Sequence, residues 1–116
     1  MRDHSELTLR NQRDFAKVYK SGKSRGSRFV VVLYKRNNLD YTRTAFVTSK
    51  KVGNSVQRSR ARRLMREAYR SVKDRTKAGY DIVFVARNTI NGHKEDEVQK
   101  AVSKAMDACD LLVKKP

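Results

Sequence analysis

An excess of positive charge constrains the fold of this chain more than any other feature of its sequence. The 116 residues include 28 Lys and Arg against 12 Asp and Glu, a formal net charge of +16. Such a field repels itself in a compact state and is usually retained for a polyanionic partner. Only 38% of the residues are hydrophobic, so the core must be thin, with room for one sheet and a few amphipathic helices. We expect one domain, residues 1–116, that binds a polyanion.

The expected polyanion is a nucleic acid rather than a membrane. A membrane-surface helix would combine basic residues with a bulky apolar face and Trp anchors, and the sequence contains no Trp. Met1–Arg10 is polar, unlike a signal peptide, and no apolar run approaches membrane-spanning length. The single cysteine, Cys109, cannot form an internal disulfide, which is compatible with a reducing cytosol. The sequence predicts a cytoplasmic protein and indicates no protein partner.

The first half of the chain predicts one helix followed by three strands. Asn11 is a helix cap, and Gly22 suits the end of that helix. A short strand is expected within residues 23–28, before the β-branched and aromatic run Phe29–Tyr34, which we interpret as a central strand. Thr42–Thr48 is predicted to be its antiparallel partner, with alternate side chains on opposite faces.

The second half adds a helix, a strand and a final helix. Asn54 can cap a helix that runs to about Lys73, and the apolar run Ile82–Ala86 predicts another buried strand. A last amphipathic helix begins at Glu95. The fold class is therefore α+β, a single-domain α/β sandwich in the order α-β-β-β-α-β-α, with residues 1–8 expected to form a flexible tail.

The segment Lys50–Arg70 carries most of the functional information. Its arginines recur every four residues, which aligns them in one stripe on a helix. The stripe consists of Arg58, Arg62, Arg66 and Arg70, and Arg63 extends it sideways. Solvated helix faces usually mix charges of both signs to gain ion pairs, whereas Glu67 is the only acid here. Guanidinium groups bind phosphate as a planar fork, so the stripe predicts a contact with a nucleic-acid backbone.

No active site that could work by itself is visible in the sequence. His4 and His93 have no metal-ligand spacing, and we expect neither a protein metal site nor catalytic residues on this chain. Cys109 lies on the apolar face of the last predicted helix and is expected to be core. The acidic run Glu95–Glu97 is explained by its position in a first helical turn.

Three aromatic residues allow two interpretations. Phe15 and Tyr19 follow helical spacing, so they can belong to the core. Aromatic side chains beside a basic sheet also hold single strands by base stacking, worth about 1–3 kcal/mol per base. Tyr34 can do either, and the sequence leaves the choice open.

The basic segment resembles the signature of a known family. The matching residues are Ser49 to Val56 (SKKVGNSV), Arg58-Ser59-Arg60, and Arg62 to Glu67 (RRLMRE). They resemble the ribonuclease P protein family, which has a Ser-Lys-Lys turn, a Gly-Asn pair and an Arg-Asn-Arg motif on the following helix. Ser59 stands where the family usually has Asn, and its hydroxyl is shorter than an amide. The likeness covers nearly the whole chain, including the first-helix aromatic residues.

The resemblance implies a protein subunit of ribonuclease P, which helps an RNA subunit to remove the 5′ leader of precursor tRNA. It implies hydrolysis by that RNA with magnesium held mainly by the RNA, and a left-handed crossover around the central helix. The implied leader cleft, between sheet and first helix, contains Phe15, Tyr19 and Tyr34. The residues expected to bind RNA are Lys50, Lys51, Asn54, Arg58, Ser59, Arg60, Arg62, Arg63, Arg66 and Arg70.

Two other functions fit part of the pattern. A structural, rRNA-binding ribosomal protein would have the same charge and no catalytic role. A DNA-binding module would place the arginine helix in a major groove, but it would need base-reading residues there. Gln57 and Ser59 offer only thin support for that reading.

Overall fold

The computed structural model describes residues 8–113, which form three α-helices and one four-stranded sheet. The elements are α1 (Gln12–Ser21), β1 (Lys23–Gly26), β2 (Val30–Arg36), β3 (Arg43–Val47), α2 (Ser55–Arg70), β4 (Tyr80–Ala86) and α3 (Glu95–Ala108). Their order is the predicted one. Most of the expected tail lies outside the described residues, although the backbone of Thr8 forms a parallel bridge with Thr44.

The helix ends follow local sequence signals. The Asn11 side chain accepts a hydrogen bond from the Arg13 amide at the start of α1, and the Gly22 amide closes its end. Helix α2 ends at Arg70, three residues before the predicted end, and a short 3-10 turn at Lys73–Arg75 follows it.

The predicted antiparallel pairing of the second and third strands is wrong. The strand order is β1-β2-β4-β3, so β4 separates β2 from β3 and pairs with β3 in parallel. Strand β4 takes an interior position, and its consecutive residues Ile82, Val83 and Phe84 are all fully buried because both faces of the sheet are covered there. The β3–α2–β4 connection is the crossover whose left-handedness stays a prediction.

The sheet is covered unequally on its two faces. Helices α2 and α3 cover one face and enclose the larger core, which includes Val32, Phe84 and Met65. Helix α1 covers part of the other face and buries Val18 against Val83 and its neighbours. One face is therefore largely covered, and the other is partly open beside α1.

An ion-pair network fixes α1 on the sheet. Asp81 is 5% exposed and accepts two hydrogen bonds from the Arg43 guanidinium, at 2.8 and 2.7 Å. Asn37 donates to the same carboxylate at 2.9 Å. The remaining terminal nitrogen of the Arg43 guanidinium lies 3.1 Å from the carboxylate of Asp14 in α1. Arg43 therefore links the first turn of α1 to Asp81 in the sheet.

Candidate RNA interface

A tight turn connects β3 to α2 and presents two lysines. The amides of Val52 and Gly53 donate to the carbonyls of Ser49 and Lys50, and the buried Val52 anchors the turn in the core. Gly53 has φ +140°, and a Cβ there would collide with the Gln57 side chain, so glycine is required at this position. The turn leaves Lys50 and its neighbour Lys51 exposed.

The predicted cap of α2 is present in full. The Asn54 side-chain oxygen accepts from the Gln57 amide, and the Gln57 side chain accepts from the Asn54 amide, both at 2.9 Å. The Asn54 oxygen therefore stabilises the helix. The positive end of the helix dipole points towards the side on which Lys50 and Lys51 lie, which favours an anion there.

Arg62 is held by two hydroxyl groups. One guanidinium nitrogen donates to Thr48 Oγ1 at 3.0 Å, and another donates to Ser59 Oγ at 3.1 Å. Ser59, the departure from the family pattern, thus orients a neighbouring arginine. Arg62 faces the end of β3 with a fixed direction before any RNA binds.

Arg60 lies on the opposite flank of α2, towards α3. Its guanidinium donates to the His93 carbonyl at 2.5 Å. The His93 ring contacts Phe29, with 4.5 Å between the centroids, and its Nδ1 lies 2.6 Å from Glu97. The Arg-Ser-Arg motif therefore spans both flanks, and Arg60 also links α2 to the start of α3.

The rest of the stripe runs along α2 towards its end. Arg66 lies over the Phe46 ring, 5.9 Å from its centroid, and Arg70 pairs with Glu67 at 3.4 Å. Arg63 is exposed and Arg58 is half-buried, and neither side chain makes a hydrogen bond or ion pair within residues 8–113. These two guanidinium groups are the freest to bind phosphate.

An open groove lies beside α1 on the other face of the sheet. The strand register places Val31, Val85 and Val47 side by side across β2, β4 and β3, and all three are half-buried. This valine row lies at the carboxyl end of β3, where the turn to α2 begins. The groove floor therefore ends at the basic motif.

Phe15 and Tyr19 face this groove. At about 100° per residue, Asp14 lies on one side of the buried Val18 and the two aromatic residues on the other. Asp14 contacts Arg43, away from the valine row, so the aromatic side faces that row. Phe15 packs partly into the core, and Tyr19 is 51% exposed. Base stacking by this pair stays a prediction.

The structure does not bring Tyr34 together with the other two aromatic residues. Tyr34 packs against the core under α2 and α3, with its ring 6.4 Å from that of Tyr80. It thus lies on the opposite face from Phe15, because adjacent side chains of a strand point to opposite faces of the sheet. The sequence did not show which of the two faces Tyr34 occupies, because that depends on the strand register. The predicted three-residue cleft reduces to Phe15 and Tyr19.

The described residues offer no metal centre. No group of three or more His, Cys, Asp or Glu side chains within residues 8–113 could hold an ion. Cys109 caps the end of α3 and is half-buried rather than fully core as expected. No helix in the same range is long and apolar enough to cross a bilayer.

Several groups that form this surface were not predicted from the sequence. Thr48 and the His93 carbonyl orient arginines that are 14 and 33 residues away, and the local pattern contains no signal for either contact. Arg10 lines a groove of about 760 Å³ along the outer edge of β3 with Arg66 and Arg70. By contrast, the i, i+3 spacing of Ser59 and Arg62 on a helix could have predicted the contact between their side chains.

Comparisons with known proteins agree with this geometry. The sequence model of the family described as Ribonuclease P matches residues 4–110. The chain is 40% identical to the "Ribonuclease P protein component" of Alkaliphilus oremlandii, over 90% of this chain and 91% of that protein. It is 38% identical to the protein of the same name from Clostridioides difficile, over 90% and 93%.

Two solved structures have the same fold. The RNase P protein of Staphylococcus aureus superposes with a TM-score of 0.82 at 26% identity, covering 91% of this chain and 97% of that one. The RNase P protein of Thermotoga maritima superposes with a TM-score of 0.76 at 31% identity, over 84% and 92%. This chain therefore belongs to the ribonuclease P protein family.

Proposed function

We propose that this chain is the protein subunit of ribonuclease P, which binds the enzyme's RNA subunit and the 5′ leader of precursor tRNA. The observation that carries this proposal is the junction of two surfaces at one end of the sheet. The groove of Phe15 and Tyr19 ends at the valine row, and the basic turn and α2 begin there. A single strand lying in the groove would lead directly to RNA bound along α2.

The two surfaces suit different parts of an RNA complex. The arginines and the lysine pair Lys50 and Lys51 are suited to the phosphate backbone of a folded RNA. The groove, with half-buried aliphatic side chains and an exposed tyrosine, is suited to unpaired bases, which stack on aromatic rings. This division assigns the RNA subunit to α2 and the leader to the groove beside α1.

The chemistry of cleavage belongs to the RNA subunit in this proposal. Two-metal phosphodiester hydrolysis needs ions held a few ångström apart by clustered oxygen ligands. Carboxylates on the basic surface would also oppose phosphate binding. The protein instead lowers the electrostatic cost of bringing two RNAs together, and magnesium, held mainly by the RNA, supplies the catalytic ions. Processing of tRNA places the complex in the cytoplasm.

Reconstitution tests the function directly. The purified chain is mixed with a bacterial ribonuclease P RNA and a precursor tRNA with a labelled leader. We expect the protein alone to leave the precursor intact with magnesium, and the mixture to release the leader. The gain over RNA alone should be largest at low magnesium, because protein charge replaces part of the cation atmosphere.

The same assay separates the two surfaces. Phe15→Ala should weaken binding of precursor tRNA more than binding of mature tRNA, whereas Arg58→Ala should weaken binding of the RNA subunit. Failure to stimulate leader removal at any magnesium concentration, with a folded protein that binds the RNA, would refute the proposed function. Cleavage by the protein alone would refute the assignment of the chemistry to RNA.

A further inference from the structure

A second concave site lies on the face of the sheet opposite the groove of Phe15 and Tyr19. Residues from β2, β4, the end of α1 and the end of α3 line a cavity of about 430 Å³. Its aromatic side chains are Tyr34 and Tyr80, and the thiol of Cys109 borders it. We call it the Tyr34–Cys109 pocket. The RNA interface does not account for these residues.

Strand register concentrates positive charge around this pocket. Lys23 is the direct partner of Tyr34 in the β1–β2 pair, and Arg25 is the partner of the buried Val32. Directly opposed residues of an antiparallel pair project from the same face, so both cations lie on the face that carries Tyr34. Arg36 lies over the Tyr80 ring, 5.6 Å from its centroid.

The acidic group at the pocket has a cationic partner. Asp110 borders the cavity, but its carboxylate pairs with Lys77 at 3.0 Å. Burial raises the pKa of the Cys109 thiol above its ordinary value, and a hydrogen bond with Tyr34 and the charge of Arg25 offset part of that rise. The site thus combines two aromatic rings, a neutral thiol and an excess of cations.

The polarity of the strands separates this pocket from the α2 interface. Tyr80 begins β4 and Arg36 ends β2, so the pocket lies at the amino end of β4. Because β3 runs parallel to β4, the turn that starts α2 lies at the other end of the sheet. The strand length of seven residues puts about 20 Å between these ends. The groove of Phe15 lies on the opposite face.

We infer that the Tyr34–Cys109 pocket binds one unpaired nucleotide of an RNA strand, with the base against the tyrosine rings and the phosphates beside Lys23 and Arg36. Aromatic rings flanked by cations are how proteins hold single-stranded nucleic acid. The surrounding cations match a strand phosphate rather than a neutral ligand. The inference rests on the proposed function only in taking RNA as the partner.

The single cysteine gives a local reporter of occupancy. Alkylation of Cys109 by N-ethylmaleimide at pH 8.5 is followed with and without a four-nucleotide uridine RNA. We expect the RNA to slow alkylation severalfold. Free UMP at the same nucleotide concentration should protect less, which distinguishes a strand from a free nucleotide.

Charge variants locate the effect. Lys23→Gln combined with Arg36→Gln alters two exposed side chains and should abolish most of the protection, and the salt dependence of protection should decrease by about 1.4 in slope for two lost single-strand contacts. Lys100→Gln with Lys104→Gln, an equal charge change on the exposed side of α3, should leave protection unchanged. Arg58→Gln with Arg62→Gln should also leave it unchanged, because these residues lie at the far end of the sheet.

Two further variants test the base and the acid. Tyr80→Leu keeps apolar volume but removes the ring, and should raise the half-protecting RNA concentration about fivefold or more. Asp110 has φ +59°, a conformation that Asn tolerates, so Asp110→Asn should fold, release Lys77 and strengthen protection.

Three results would overturn the inference. They are no protection of Cys109, equal protection in the Lys23 and Arg36 double variant, and loss of protection in the Arg58 and Arg62 variant alone. Leader cleavage in the reconstituted enzyme is a separate readout. Normal cleavage without Cys109 protection rejects the pocket alone, and protection without cleavage rejects the proposed function alone.

Discussion

At the residue scale, the arginines of α2 differ in how they are held. Arg62 is fixed by Thr48 and Ser59, Arg60 is fixed by a carbonyl next to α3, and Arg58 has no such anchor in the described part of the chain. A pre-oriented guanidinium loses less side-chain entropy when it binds phosphate. The anchored and free arginines should therefore respond differently to substitution of their neighbours.

The anchors of Arg62 can be removed without removing its charge. Thr48→Val with Ser59→Ala should weaken RNA binding about two- to tenfold, the value of one or two positioning hydrogen bonds. Thermal stability should change little, because Ser59 is exposed and Thr48 is half-buried. Affinity for the RNA subunit at fixed salt is the measurement, and Ser59→Asn, which keeps an acceptor, should bind like the parent. If the double variant binds normally while Arg62→Ala does not, orientation is unimportant.

Cys109 should react slowly at neutral pH. Because burial raises the pKa of its thiol, the thiolate fraction at pH 7 is small, and the alkylation rate should rise about tenfold per pH unit. Between pH 7 and pH 9 the folded chain should show no plateau, whereas the unfolded chain in urea should begin to level off. A plateau below pH 8 in the folded protein contradicts the effect of burial.

At the element scale, the turn before α2 joins stability to function. Gly53 permits the sharp turn, supports the cap of Asn54 and Gln57, and sets the position of Lys50 and Lys51. The turn is also tied to the loop before α3, since the Asn91 side chain donates to the Val52 carbonyl at 2.6 Å. A local change here should affect both folding and RNA affinity.

Two glycine substitutions distinguish the stability lost through backbone strain from the stability lost through a side-chain collision. Gly53→Ala should destabilise the fold by about 2–4 kcal/mol, the sum of a strained backbone and a lost helix cap. Gly92 also has positive φ, at +82°, but a Cβ there would meet nothing within 4 Å, so Gly92→Ala should cost only about 1 kcal/mol. Urea unfolding measures both. Equal losses in the two variants would mean that the Gln57 contact contributes nothing.

The elements show which structural features a sequence can predict. Helix starts at Asn11 and Asn54 were correct because a cap depends on residues two or three positions away. The β3–β4 pairing was missed because Arg43 meets Asp81 across 38 residues, and no local pattern records that partnership. The side of the sheet that Tyr34 occupies was unreadable for a related reason, since a one-residue shift in register reverses every side chain.

At the scale of the whole molecule, charge and thin core act together. Burial is confined to two clusters on either side of one sheet, and the basic residues surround them. Non-specific attraction to any RNA is therefore expected, and specificity must come from shape: the groove, the turn and the oriented arginines.

Salt dependence should count the phosphate contacts of α2. Arg58→Ala and Arg66→Ala should each flatten the slope of log affinity against log salt by about 0.7 to 0.9. Lys100→Ala, on the exposed side of α3, should leave the slope unchanged. Arg60→Ala should both flatten the slope and lower the melting temperature, because its bond to the His93 carbonyl is lost. Unchanged slopes in all α2 variants would exclude this helix as the backbone-binding element.

The position of β4 has a consequence for folding during synthesis on the ribosome. This strand is one of the two interior members of the sheet, yet it is the last of the four strands to leave the ribosome. Until residue 86 has emerged, β3 can pair only with the segment of Thr8 and Leu9, and the strand that joins β3 to β2 is missing. Most of the arginines are thus synthesised before the core can form. We therefore expect the sheet to be completed only after β4 has emerged.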